Sequence, residues 1–62
     1  MVVVDIQGND AFIKRATDEE FDKIEKLFYD TGKSYFDGLF NADDIDLLFE
    51  EFDGQVVVSE TI

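Results

Sequence analysis

The chain has 62 residues, with 16 acids against 5 bases and no histidine, cysteine or proline, for a formal net charge of −11. So short a chain makes one domain, residues 1–62, and lacking Cys and His it has no disulfide, no thiolate zinc site and none of the commonest general base. The charge exceeds the magnitude of about 2–8 that solubility asks of a small domain, and it disfavours direct contact with nucleic acid or anionic membrane, which are polyanions themselves.

A one-signed field repels itself and works against the compact state. A domain this small also hides only about 60% of the surface its unfolded chain exposes. With no disulfide or metal staple, the remaining supports are aromatic packing, for which 7 Phe and 2 Tyr are available, and self-association.

In chain order, Val2-Val3-Val4-Asp5-Ile6 is short and β-branched and reads as a buried strand. Gly8-Asn9 is a hairpin turn signal, and Ala11 to Arg15 is the returning strand. Thr17-Asp18-Glu19-Glu20 is a capping box that opens a helix over residues 18–31, with Phe21, Ile24, Leu27 and Phe28 at helical spacing and Gly32 closing it. Asp37-Gly38 lies between two apolar pairs, Tyr35-Phe36 and Leu39-Phe40. That pattern fits a tight hairpin or a helix-to-helix connection, and the connection is preferred because two-residue strands gain little from pairing.

Asn41 is an N-cap for a second helix, with Ile45, Leu48, Phe49 and Phe52 at i, i+3, i+4, i+7 and Gly54 ending it. Residues 55–61, with Val56-Val57-Val58, read as a final strand, whose valine triplet is expected to meet the first one in a single sheet. The expected fold is α+β: a small single domain of order β-β-α-α-β, with an antiparallel three-stranded sheet and two helices packed on one face. The expected core is Phe21, Ile24, Phe28, Ile45, Leu48, Phe49 and Phe52 against Val3, Ile6 and the 56–58 strand.

The polar faces of the two helices differ. The first mixes Glu19, Asp22, Lys23, Lys26 and Asp30, with Glu19–Lys23 and Asp22–Lys26 as favourable i,i+4 pairs. The second presents Asp43, Asp44, Asp46, Glu50, Glu51 and Asp53, and from Ser34 onward the sequence has no base at all. In the middle of these carboxylates Leu47 is expected to point away from the core, as an apolar anchor with an acidic rim. This surface reads either as a solvated acidic face with a stray Leu or as a binding face.

Phe12, Tyr29, Tyr35, Phe36 and Phe40 exceed what two helix stripes need. Core filling accounts for most of them, while Tyr29 and Tyr35 are candidates for surface contact with a partner.

Other chemistry fits poorly. An EF-hand laid over residues 41–52 would have Asp46 where its Gly belongs and Phe52 where its Glu belongs. Ser34 and Ser59 have no histidine to activate them, and the four glycines make no phosphate-binding motif. No enzyme activity, cofactor or metal is expected. Met1 leads into strand-like residues instead of a signal peptide, and no apolar run approaches the ~20 residues of a membrane helix, so the expectation is a soluble cytoplasmic protein.

In size and composition the chain resembles the small acidic DNA-mimic proteins of phages and mobile elements, some anti-CRISPR proteins among them. That resemblance implies an inhibitor or modulator that occupies the basic groove of a nucleic-acid-binding protein. The residues expected to meet the partner are Asp43, Asp44, Asp46, Leu47, Glu50, Glu51, Asp53 and Tyr35. The alternative is an assembly module or antitoxin-like subunit that forms a homodimer through a sheet edge.

Overall fold

The computed structural model describes residues 1–60. Strand β1 (Val2–Gln7) and strand β2 (Asp10–Arg15) form the expected hairpin, with Val4 opposite Ile13 and Gln7 opposite Asp10. Gly8 at φ 63 supplies the positive φ that a two-residue hairpin turn of the Gly-first kind requires. The register shifts between Val3 and Val4, so Lys14 sits as an extra residue near the end of β2.

Helix α1 (Asp18–Asp30) is built as its sequence specifies. Thr17 Oγ1 accepts from the Glu20 amide at 3.2 Å, and the Thr17 amide donates to Glu20 Oε1 at 2.8 Å. At the other end Gly32 takes φ 72, and the Lys33 and Gly32 amides donate back to the carbonyls of Phe28 and Tyr29, a Schellman closure.

The Thr17 amide, aided by the Met1 amino group, holds the Glu20 carboxyl below its ordinary value. A folded value below the unfolded one means that the stabilisation is complete above the unfolded value and is lost as pH falls through the folded one. Followed by NMR, the Glu20 carboxyl carbon and the Thr17 amide should therefore titrate together, at lower pH than Glu20 of the urea-unfolded chain. Coincidence with the unfolded chain would contradict the capping box.

The stretch after α1 departs from expectation. Asp37 (φ 47) and Gly38 (φ 88) form a two-residue turn with positive φ at both positions, across which Phe36 and Leu39 exchange hydrogen bonds of 3.0 and 2.7 Å. The hairpin reading of Asp37-Gly38 is thus the correct one locally. The chain leaving this turn is a third strand, β3 (Leu39–Asn41), which pairs antiparallel with β2.

A 3₁₀ turn (Ala42–Asp44) follows, capped by Asn41 Oδ1 accepting from the Asp43 amide at 2.9 Å. It leads into helix α2 (Ile45–Glu51), shorter than expected. The left-handed residue closing α2 is Asp53 at φ 53, with the Gly54 amide donating to the Phe49 carbonyl at 2.7 Å. Asp tolerates that conformation better than most side chains.

Strand β4 (Val56–Glu60) completes a four-stranded sheet of order β3-β2-β1-β4. Residue 61 of the expected strand lies outside the described residues. The valine triplets do meet, Val2 with Val56, Val3 with Val57 and Val4 with Val58, but in parallel. The expected three-stranded antiparallel sheet is therefore corrected to a mixed one of four strands. The reason is connectivity: β3 runs parallel to β1, and α2 carries the chain from the β3 edge across the sheet to the β4 edge, the crossover that a parallel strand needs.

Alternation along the strands decides the core. Val2, Val4, Ala11, Phe40 and Val56 pack with Ile24 and Phe28 of α1 and Leu48 of α2. Both helices thus lie on one face of the sheet. Val3 and Val57 belong to the opposite face, so the expected part of Val3 in the core passes to its neighbours Val2 and Val4, and of the expected 56–58 strand only Val56 is buried, Val57 and Val58 being exposed. Ile45, Phe49 and Phe52 are only partly buried against the cluster, and Phe21 is half-buried outside it. Among the described residues no helix is long and apolar enough to cross a membrane.

Candidate functional site

The acidic surface is carried by the 3₁₀ turn, α2 and the residues that close it. Asp43, Asp46, Glu50, Glu51 and Asp53 are exposed, and none has an ion-pair partner among the described residues. Asp44 is different: half-buried, it meets the Lys33 ammonium at 3.5 Å. A base in the connection after α1 thus relieves one charge of a face expected to have no relief. The pairing was invisible in the sequence because 11 positions of chain separate the two residues.

Leu47 does not face outward. The inward axis of α2 passes through Leu48, which is fully buried. At about 100° per residue Leu47 and Phe49 fall on either side of it, and both pack partly buried against the core. The expected axis, between Ile45 and Phe49, was displaced toward Phe49 and put Leu47 on the wrong side. Leu47 is therefore a core-flanking residue and no anchor. Leu47→Ala is expected to lower stability by about 1–3 kcal/mol in chemical denaturation while leaving affinity for a partner unchanged. Full stability with faster dissociation would restore the anchor.

The same geometry sorts the acids. Asp46 and Glu50, one helical turn apart, lie roughly opposite Leu48, while Asp43 and Asp53 lie outside α2, before and after it. Glu51 turns toward α1 and lines a shallow groove with Lys23, Lys26, Leu27 and Asp30.

Tyr35 is also corrected. Its ring stacks on Phe28, with centroids 5.6 Å apart and planes 10° from parallel, so it serves mainly to close the aromatic core. Burial, followed by the charges of Glu25 and Asp37, pushes its phenol above the ordinary value, with a backbone hydrogen bond at Gly38 opposing.

The most exposed rings among the described residues are Tyr29, at 85%, and Phe36, at 76%, and Phe12, expected as core filling, is exposed as well. Tyr29 was one of the two rings expected at the surface, whereas Phe36 was assigned to the core. The Asp37-Gly38 turn was the signal that could have found it, because the turn pairs Phe36 with Leu39 beyond the helix-covered face. Glu25, Tyr29, Lys33, Tyr35, Phe36 and Asp37 together line an open groove of about 310 Å³.

Asp5 is only 5% exposed in the central strand β1 and accepts from Gln7 Nε2 at 2.9 Å and from the Ser59 hydroxyl at 3.4 Å. The Ser59 bond ties β1 to β4 on the face away from the helices, while the Gln7 bond stays within β1. Among the described residues no group of three potential metal ligands comes together. No protein-family model, curated protein or solved structure matches the chain.

Proposed function

We propose that this chain is an acidic binding protein that inhibits or modulates a nucleic-acid-binding protein by occupying its basic groove, as the resemblance to the DNA-mimic inhibitors of phages and mobile elements implies. The reading makes it a binder with no catalytic role, acting in the cytoplasm where such targets work. The observation that carries it is the set of exposed carboxylates Asp43, Asp46, Glu50, Glu51 and Asp53, which have no ion-pair partner among the described residues.

Neighbouring carboxylates on a helix face stand about 5–6 Å apart, broadly the separation of phosphates along one nucleic-acid strand. Lysines and arginines placed for phosphates would accept them. Long-range attraction would speed the encounter and weaken with salt. The test is capture from host lysate on the immobilised chain, with the variant Asp46→Lys, Glu50→Lys, Glu51→Lys as reference bait. Basic nucleic-acid-binding proteins enriched on the native chain support the reading; identical profiles from the two baits defeat it.

One observation favours a second reading. β4 is an edge strand with no lysine, proline or bulge to blunt it, and Val57 and Val58 are 45% and 36% exposed. Pairing of two β4 strands would give a homodimer with one continuous sheet. A dimeric mass that persists across salt concentrations, lost on Val57→Lys, would support assembly.

A further inference from the structure

The two most exposed large hydrophobic side chains among the described residues are aromatic, and they share one groove. Tyr29 projects from the last turn of α1 and Phe36 from the start of the Asp37-Gly38 turn. A soluble surface has no need of such rings, and exposed aromatics at the edge of a pocket are where partner side chains anchor.

The walls are charged. Glu25 and Asp37 line the groove from α1 and from the turn, and neither is ion-paired among the described residues. Lys33 lines it too, but its ammonium is matched by Asp44. The groove therefore offers aromatic faces with two uncompensated carboxylates. A neighbouring groove shares Lys33 and Phe36 with it and reaches Asn41 and Asp44, so the aromatic surface adjoins the start of the acidic one.

Among protein side chains, one chemistry answers both features. A guanidinium is planar, stacks on aromatic faces, sheds water more readily than an ammonium and pairs bidentately with carboxylates. We infer that the groove between Tyr29 and Phe36 seats an arginine side chain of the basic partner, stacked on an aromatic face and held by Glu25 and Asp37. This rests on the proposed function and adds to it the residue type that gives the encounter its specificity. The exposed carboxylates of α2 attract any cation, and the groove selects arginine over lysine.

The test uses two short peptides of equal length and charge, one arginine-rich and one lysine-rich, titrated into the intact chain at fixed salt and followed by NMR. The arginine peptide should bind more tightly and shift the ring protons of Tyr29 and Phe36. Tyr29→Ala with Phe36→Ala should weaken the arginine peptide about tenfold and leave the lysine peptide unchanged. Both rings are exposed, so the double variant should keep its melting temperature, and the amide spectrum checks this. Equal affinity for the two peptides, no binding of either, or an unchanged arginine affinity in the double variant overturns the inference. The variant Asp46→Lys, Glu50→Lys, Glu51→Lys separates the two ideas. If it binds both peptides as the native chain does while the arginine preference survives, the acidic-face reading fails and the groove stands.

Discussion

Phe28→Ala is expected to remove a large share of the folding stability of this protein at 25 °C. Phe28 is fully buried, stacked on Tyr35 and in contact with Phe40 at 5.2 Å between centroids, so it joins α1, the connection after it and β3. Truncating a buried Phe costs about 3–5 kcal/mol. A domain of this length has a total stability of only about 3–9 kcal/mol at the usual 0.05–0.15 kcal/mol per residue. Phe21→Ala is the informative control. Phe21 belongs to the same helical stripe but lies half-buried outside the central cluster, and its loss should cost well under half as much. Urea unfolding followed by circular dichroism measures both. A Phe28→Ala midpoint close to the native one, or equal losses at the two positions, would contradict the packing described above.

The second large effect is on binding. Replacing Asp46, Glu50 and Glu51 by Lys should reduce affinity for the captured target on the order of 100-fold or more, because three attractive charges become repulsive and like-charge contacts across an interface cost several kcal/mol. The fold should remain intact. All three residues are exposed and unpaired, the net charge becomes less negative, and Lys suits the C-terminal end of a helix where Glu50 and Glu51 do not, gains that offset the repulsion a lysine at position 51 meets from Lys23 and Lys26. The melting temperature should hold or rise slightly. An intact variant that keeps its affinity would remove the acidic face from the interface.

The parts of the fold that were legible in the sequence are those set by local chemistry. The capping box fixed the start of α1 and Gly32 its end, and Gly8 fixed the first hairpin. Asn41 was recognised as a cap, although what it caps is a 3₁₀ turn. What could not be read depends on partners distant in the chain. Leu39–Asn41 is too short to carry a strand signal and exists because β2 offers it an edge. Without that strand, the crossover that makes β4 parallel had no visible starting point.

The candidate surface follows the same division. The exposure of Asp46 and Glu50 came directly from helical spacing. Leu47 failed because the inward axis of a seven-residue helix was judged from residues at its ends, and Leu48 alone settles it. Tyr35 and Phe36 exchanged expected roles because a turn with two positive φ values sends one ring onto Phe28 and the other into solvent.

On the proposed function, this protein and nucleic acid compete for one basic groove. The most direct measurement is equilibrium binding of the chain to its captured target at increasing concentrations of the nucleic acid which that target binds, at fixed ionic strength. Mutual exclusion is the expected result: the apparent Kd for the chain rises in proportion to nucleic acid, and no ternary complex forms. A stable ternary complex with an unchanged Kd would contradict it.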